Sequence, residues 1–449
     1  MFKLLNRSVV LLLIMAIISA VIIFPNSGER YNIFIVSLFY TICIVSLIGI
    51  FNSVDKLIYS LNKTFNIFYF FFFGLAPVIQ YKFKSSFFDA PLLVDEDYMM
   101  GGSILLIVLV IYLRLYKMMF KYFESLGKSF FNVKPVSNEP LFLYYLLSLS
   151  SLVLVFILIK FDPEILFFRP PASFLKNNTY LGLIGYSMLL VLRPIPIIVL
   201  LRYLLIQKID RKVVVFLTIL VLITVFPTSL SRGLIAAYFL PLVLLLIPLH
   251  KLKHMYSISY FFGVLVVFPI LNFFRHSNNK VHLGLELFKT GHFDAFQNFT
   301  LLVKENIITG GSQLLGSILF FLPESIWQNK PLGTGVLLGQ KLEFSHLNVA
   351  MPYFGEGFVN FGFIGILLFL ILLVLFNSYL DVFYHKKTAT LFMRMLYLFF
   401  LGFEFYLLRG DLTSSIKKIS GFILALILVN SFFKFYQTFK KVKLDIKRS

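Results

Sequence analysis

The chain of 449 residues is 59% hydrophobic and only 14% charged, and its mean hydropathy is +0.88. A water-soluble protein of this length would not stay in solution with so much apolar surface, so the composition predicts a polytopic membrane protein. The formal net charge of +20 does not indicate nucleic acid as a partner, because the Lys and Arg residues are dispersed between apolar runs. Much of the excess positive charge is typical of the positive-inside bias of membrane proteins. It also predicts membrane lipids as partners.

In chain order, apolar runs of membrane-spanning length recur from one end of the sequence to the other. A spanning helix needs about 17 to 25 mostly apolar residues. About twelve runs are candidates, of which the seventh is short. They are residues 8–24, 32–51, 65–81, 98–113, 140–159, 179–201, 213–226, 233–249, 256–274, 355–378, 389–408 and 416–433. The first run imitates a secretory signal, but it continues through Ile23 and Phe24 without an A-x-A-like site, so we expect a retained helix. The predicted fold class is an all-α polytopic membrane protein.

Basic residues concentrate in every second connecting segment, and this alternation predicts the orientation of the chain. Both termini are then cytoplasmic. The chain divides into residues 1–274 with helices one to nine, a large outward-facing loop of residues 275–354, and residues 355–449 with the last three helices and a basic cytoplasmic tail.

The sequence gives little reason to expect a cofactor or a metal. Cys43, the single cysteine, lies inside an apolar run, where we expect it to pack. Asp95, Glu96 and Asp97 have a spacing that suits Mg²⁺ or Mn²⁺ beside a phosphate, but topology alone also predicts an acidic outer loop. The stretch GTGVLLGQK has a glycine rhythm without the GKS/T ending of a P-loop.

Four arginines lie on, or open toward, the predicted outer face. Arg193 lies inside the sixth run just before two prolines, Pro194 and Pro196, while Arg232, Arg275 and Arg409 lie at the outer ends of runs. A charge at the centre of a bilayer costs about 2.5 to 3.5 kcal/mol, so we expect Arg193 to face protein or water. Guanidinium groups bind phosphate oxygens through forked donors, so the set predicts a lipid phosphate or diphosphate ligand. The alternative is that these arginines reach lipid headgroups or pair with structural carboxylates.

The sequence of the large outer loop divides into three pieces. In the first, six residues fall near one helical face and predict an amphipathic helix on the membrane surface. They are Leu285, Phe288, His292, Phe296, Phe299 and Val303. The second piece, SQLLGSILFFLP, is too short to span and is predicted to be interfacial or re-entrant. The third, PESIWQNKPLGTG, carries Trp327, which suits either a sugar ring or a headgroup anchor.

Two acidic residues and one histidine near the loop are candidates for proton transfer or binding. Glu356, between two glycines at the bilayer boundary, and His346, ten residues earlier, are candidate general bases. Glu356 alternatively forms a salt bridge or interacts with a helix N-terminus. Asp411, which follows Arg409 in an RGD triplet, alternatively caps the last helix.

Four motifs in order carry a family resemblance. They are SRG at 231–233, the P-x-x-x-W-x-x-K-P stretch at 323–331, GEGFVNFGFIG at 355–365 and RGD at 409–411. With them the chain resembles the Wzy-type O-antigen and capsular oligosaccharide repeat unit polymerases. The resemblance covers mainly residues 220–415, and the first half shares only the hydropathy.

The resemblance implies a metal-independent, GT-C-like glycosyltransferase in the bacterial cytoplasmic (inner) membrane. It would transfer a growing glycan from undecaprenyl diphosphate to the nonreducing end of a lipid-linked repeat unit. Its partners would be undecaprenyl diphosphate-linked oligosaccharides, with a chain-length regulator and a flippase as further candidates. The catalytic candidates are Glu356, His346, Arg232 and Arg409. The candidates for binding the diphosphate and glycan are Arg193, Arg232, Arg275, Arg409, Trp327, Lys330 and Asp411.

Two other functions stay open from the sequence. An O-antigen ligase would share the donor but pass the glycan to lipid A core. A lipid-linked oligosaccharide flippase or transporter would be expected to carry ionisable residues at several mid-membrane positions. The sugars, the linkage and the stereochemical outcome are not encoded in any motif that we recognise.

Overall fold

The computed structural model describes residues 30–53, 55–126, 139–168, 180–247, 254–273, 284–323, 325–385 and 389–446. Within these ranges the chain is helical and no strand occurs. The helices of the membrane bundle are α1 (Ile33–Phe51), α2 (Leu61–Lys82), α3 (Asp95–Ser125), α4 (Leu141–Leu158), α5 (Tyr180–Leu192), α6 (Ile195–Ile206), α7 (Arg211–Thr224), α8 (Arg232–Leu246) and α9 (Met255–Ile270). The loop contributes α10 (Ala295–Lys304), α11 (Ser312–Ile318) and α12 (Thr334–Lys341), and the chain ends with α13 (Tyr353–His385), α14 (Leu391–Arg409) and α15 (Leu412–Ile446).

Nine helices among the described residues are long and apolar enough to cross a membrane. Two predicted runs, 233–249 and 256–274, correspond to the shorter apolar helices Gly233–Leu246 and Met255–Ile270. The first predicted run, 8–24, lies outside the described residues. The all-α polytopic class is therefore confirmed, while the number of twelve spans and the GT-C-like arrangement stay predictions.

The loop packs onto one end of the bundle, which we call the loop end. The side chain of Gln80 at the end of α2 donates to the carbonyls of Phe288 and Phe293, at 3.0 and 2.9 Å. The backbone N–H of Ser345 donates to the carbonyl of Phe88 at 3.0 Å. The loop end is the end that the charge pattern predicts to face outward.

The predicted amphipathic surface helix is buried in the protein instead. In α10 every residue from Ala295 to Val303 is buried, including the polar residues. Gln297 bonds the backbone of Phe87, and Asn298 donates to the carbonyl of Ala350 at 2.8 Å. The polar residues of this pattern therefore form hydrogen bonds with protein groups inside the loop end and not with water. Hydropathy cannot distinguish these two environments.

Helix α13 is broken near its start, so the predicted run 355–378 is not one straight helix. Gly362 has φ 62° and ψ −146°, a conformation reserved in practice for glycine. A Cβ atom added to Gly365 would lie 1.9 Å from the carbonyl oxygen of Gly357. Eight residues of straight helix would separate these positions by about 12 Å, so the chain folds back at the break. The short arm before Gly362 carries Glu356.

Candidate functional site

The SRG and RGD motifs meet at the loop end because their helices are in backbone contact. A Cβ atom added to Gly233 would lie 2.4 Å from the Cβ of Tyr406, and one added to Gly402 would lie 2.2 Å from the carbonyl oxygen of Ala236. Only glycine permits so close an approach of α8 and α14. The backbone of Arg232, at the first residue of α8, therefore lies beside the last turn of α14, which ends at Arg409. The side chain of Arg232 lies outside the described part.

Arg193 faces protein, as predicted for an arginine within a span. It lies in the turn between α5 and α6, where Pro194 and Pro196 interrupt the helix. Its Nε donates to the carbonyl of Thr224 at 2.8 Å, and Nη2 donates to the hydroxyl of Ser229 at 2.7 Å. Arg193 thus holds the turn that immediately precedes the SRG motif.

Arg409 pairs with a structural carboxylate, the alternative considered from the sequence, although the partner residue was not predicted. Its Nη2 lies 2.9 Å from Oδ1 of Asp294 and 3.4 Å from the carbonyl oxygen of Gly291. The side chain of Arg409 is 31% exposed, whereas that of Asp294 is 1% exposed. The other oxygen of Asp294 accepts from the side chain of Asn298 and the backbone N–H of Ala350, both at 3.1 Å. Asp294 directly precedes α10. An aspartate just before a helix was the feature of the sequence that could have drawn attention to it.

Glu356 is buried and ties three segments together. Its Oε2 accepts from the hydroxyl of Thr334 at 2.6 Å, and its Oε1 accepts from the backbone N–H of Leu412 at 2.9 Å. The carboxyl group therefore joins the short arm of α13 to α12 and to the residue after the RGD triplet. With both oxygens engaged at 1% exposure, this geometry favours a positioning role over that of a general base.

Asp411 lies beside Glu356 and is less buried. Its Oδ1 accepts from the backbone N–H of Ser414 at 3.1 Å, the capping contact considered from the sequence. Its Oδ2 is 3.4 Å from the backbone N–H of Gly335. A Cβ atom added to Gly333 would lie 2.5 Å from the same oxygen, which explains the small residues of the GTG stretch.

His346 is exposed at the loop end, beside Phe88. Its exposed ring is 5.3 Å, centroid to centroid, from that of Phe88. A Cβ atom added to Gly291 would lie 2.5 Å from the Phe88 ring, and the carbonyl of Gly291 contacts Arg409. His346 is therefore connected to Arg409 through Phe88 and Gly291.

The stretch with Trp327 and Lys330 follows α11 at the loop end. Lys330 donates to the carbonyls of Phe320 and Leu322, at 2.6 and 2.8 Å, and so holds its own loop. Trp327 is half-buried. Upstream, the hydroxyl groups of Ser317 in α11 and Thr413 in α15 are 2.7 Å apart, which places this piece of the loop against the RGD turn.

Two acidic residues of the predicted outer loop form contacts outside this arrangement. Arg275 lies outside the described residues. Asp95 pairs with Arg30 and Asp97 with Lys304, each at 2.9 Å. These two carboxylates of the predicted acidic loop therefore contribute to ion pairs that fasten the loop end.

Sequence reasoning missed two lysines in the first turns of α15. Lys418 bonds the hydroxyl of Tyr406, and its Nζ lies 3.9 Å from the centroid of that ring. Lys417 is half-buried beside it. The signal was two consecutive lysines inside a predicted span, where charge is costly. Together with Arg193, Arg232 and Arg409 they bring cationic residues from four places in the sequence to the loop end.

Comparison with known proteins does not assign this arrangement to a family. No protein-family model, no curated protein and no solved structure matches the chain.

Proposed function

We propose that this protein is a membrane glycosyltransferase that polymerises oligosaccharide repeat units carried on undecaprenyl diphosphate. The observation that carries the proposal is the backbone contact of α8 and α14, which brings the start of the SRG helix to the end of the RGD helix. Arginines at such a meeting point suit a diphosphate, because two guanidinium groups can share its oxygens.

The chemistry requires positive charge where the leaving group departs. An acceptor hydroxyl oxygen bonds to the anomeric carbon of the donor sugar, the bond from that carbon to the phosphate oxygen breaks, and undecaprenyl diphosphate leaves as an anion. Donors fixed in advance at that oxygen stabilise the developing charge. Arg409 suits this role, because Asp294 fixes its guanidinium while the side chain stays 31% exposed.

The proton of the acceptor hydroxyl needs an accessible base. His346 is exposed at the loop end, and Asp411, two residues after Arg409, is partly exposed. Glu356 would position the two neighbouring turns, since both its oxygens already accept hydrogen bonds. His346 and Asp411 are therefore the preferred acceptors of the proton in this proposal.

Lipid tails and sugars would occupy different parts of the loop end. Exposed apolar side chains of α11 and the following turn suit contact with lipid or with a polyprenyl chain. They are Leu315, Ile318, Phe321 and Ile326. Trp327, half-buried next to this surface, would then lie at the level of the headgroups and the first sugars.

The direct test is chain growth in proteoliposomes that contain purified protein and undecaprenyl diphosphate-linked repeat units. We expect a ladder of longer lipid-linked glycans with the wild type and an activity about 10²- to 10³-fold lower with Arg409→Ala, by analogy with the loss of one oxyanion donor. The matched control is Arg30→Ala, because Arg30 also forms a 2.9 Å ion pair at the loop end, with Asp95. Absence of any ladder with the wild type, or equal activity of wild type and Arg409→Ala, would contradict the proposal.

A flippase or transporter of the same lipid-linked sugars is the second candidate. It is favoured by Glu404 and Asp381, two buried carboxyl residues within spanning helices. Movement of a labelled lipid-linked sugar across the proteoliposome membrane without chain growth would select it. A ligase would leave the repeat units unextended and would transfer glycan to lipid A core when that acceptor is added to the proteoliposomes.

A further inference from the structure

Glu404 is a buried acid in the middle of the bundle that the proposed glycosyl transfer does not use. It lies on α14, five residues before Arg409, and is 1% exposed. Its Oε1 accepts from Nδ2 of Asn377 on α13 at 2.6 Å. Its Oε2 and the Oδ1 of Asn377 are buried and have no partner among the described residues.

One proton can satisfy both of these atoms. If Oε2 of Glu404 carries a proton, its O–H can donate to Oδ1 of Asn377 while Nδ2 of Asn377 donates to Oε1. This is the two-bond pairing of a carboxylic acid with an amide. An ionised carboxylate would instead leave both acceptors without a donor in a water-poor interior, which costs several kcal/mol.

The groups around Glu404 supply no compensating cation. Among the described residues no Lys, Arg or His forms an ion pair with it. The titratable groups near it are Tyr112 on α3, Tyr256 and Tyr260 on α9, and Asp381 on α13. None of these carries positive charge, so a proton is the cation that the site can take from water.

A line of polar side chains leads from Glu404 toward the end of the bundle opposite to the loop end. Nδ2 of Asn377 also contacts the Tyr112 hydroxyl, at 3.0 Å. The ring of Tyr112 stacks on that of Tyr116, one turn further along α3, with centroids 5.9 Å apart. The Tyr116 hydroxyl lies 2.8 Å from Oδ2 of Asp381.

The line ends at a pair of carboxyl groups near the opposite surface. The Tyr116 hydroxyl is also 3.2 Å from Oδ2 of Asp55, in the segment between α1 and α2. Asp55 is 7% exposed and Asp381 is fully buried. No direct hydrogen bond occurs between the two tyrosine hydroxyls, and Nδ2 of Asn377 donates to both Tyr112 and Glu404, so it cannot pass a proton between them. Each of these two steps therefore needs a water molecule.

We propose that Glu404 is a proton-binding site in the membrane core, filled from the end opposite to the loop end through Asp55, Asp381, Tyr116 and Tyr112. The two orphaned acceptors and the polar line carry this proposal. It does not depend on the polymerase assignment.

The first measurement is an infrared spectrum of the full-length protein, wild type minus Glu404→Gln, at neutral pH. Gln preserves the shape of the side chain and can pair with Asn377. We expect the wild type to show the C=O stretch of a protonated carboxyl group that Glu404→Gln lacks. If the difference shows only a carboxylate stretch, Glu404 is ionised and the proposal is wrong.

The second measurement tests the route. On transfer to D₂O, the band of the protonated carboxyl shifts as its proton exchanges. We expect Tyr116→Phe to slow this exchange at least about tenfold, because a hydroxyl carrier is lost from the path. The matched control is Tyr81→Phe, whose hydroxyl bonds Asp95 at the loop end, and it should exchange at the wild-type rate.

Tyr112→Phe provides a second variant on the same route if Tyr116→Phe does not fold. Unchanged exchange in the folded variant, or equal slowing in Tyr81→Phe, would overturn the route. Loss of the protonated band on adding Na⁺ would show that the site takes a metal cation and would overturn the assignment to a proton.

Discussion

Two arginine–carboxylate pairs, one at each end of the bundle, differ in what they leave open. At the end opposite to the loop end, Arg202 binds Glu139 through two hydrogen bonds of 2.9 and 2.5 Å, and both side chains are at most 6% exposed. At the loop end, Arg409 binds Asp294 through one atom and remains 31% exposed. The guanidinium of Arg202 is enclosed by its partners, whereas that of Arg409 stays partly exposed.

The surroundings of the two pairs extend this contrast. The third nitrogen of Arg202 donates to Asn430, and its guanidinium carbon lies 4.2 Å from the centroid of the Phe433 ring. The carboxylate of Glu139 accepts further hydrogen bonds from Tyr144 and Gln437. Such a closed network fixes helices relative to one another. A guanidinium fixed on one side and open on the other can also bind a ligand.

The largest effect is expected from breaking the closed pair. Glu139→Ala would leave Arg202 buried without its carboxylate, which costs about 3–5 kcal/mol of stability. Unfolding of the purified protein in detergent measures this loss, with Asp294→Ala as the matched variant at the loop end. Equal destabilisation by the two variants would remove the distinction between the pairs.

A smaller loss of stability is expected at the break in α13. Gly362→Ala places a side chain at φ 62° and ψ −146°, a strain of about 1–3 kcal/mol. The matched control is Gly263→Ala, because Gly263 has nothing within 4 Å of an added Cβ. Thermal unfolding compares the two, and a Gly362→Ala variant as stable as Gly263→Ala would show that the chain does not need this break.

The smallest effect is expected from removing the charge of Glu356 while keeping its shape. Glu356→Gln retains an oxygen for Leu412 or Thr334, so we expect chain growth to fall less than about tenfold. The loss of a general base would lower it by about 10²- to 10⁴-fold. The measurement is the chain-growth rate of the folded variant. A loss in the larger range would indicate that Glu356 acts as the general base.

The sequence predicted the helices better than the contacts between them. Runs such as 32–51 and 389–408 became α1 and α14, because helix formation in a bilayer follows from length and hydropathy. Hydropathy carries no information about backbone direction, so the break at Gly362 was not anticipated. The burial of α10 was also missed, since its polar residues find partners in segments far along the chain.

The candidate site was predicted only in part, because the sequence does not show which distant side chains contact one another. Arginines at span ends are visible in a sequence, and Arg193 was expected to face protein. Their partners are not visible, because Asp294 and Arg409 are 115 residues apart. Glu404 lies within a predicted span, and the cost of a charge there was the signal that should have drawn attention to it.

Binding of undecaprenyl diphosphate to the purified protein tests the central claim most directly. We expect Arg232→Ala and Arg409→Ala each to weaken binding by about tenfold or more, as for the loss of one charged hydrogen bond. The double variant should lose less than the product of the two single effects, because both groups contact one ligand. Arg30→Ala should bind as the wild type does. Unchanged affinity in both single variants would contradict a shared diphosphate site at the loop end.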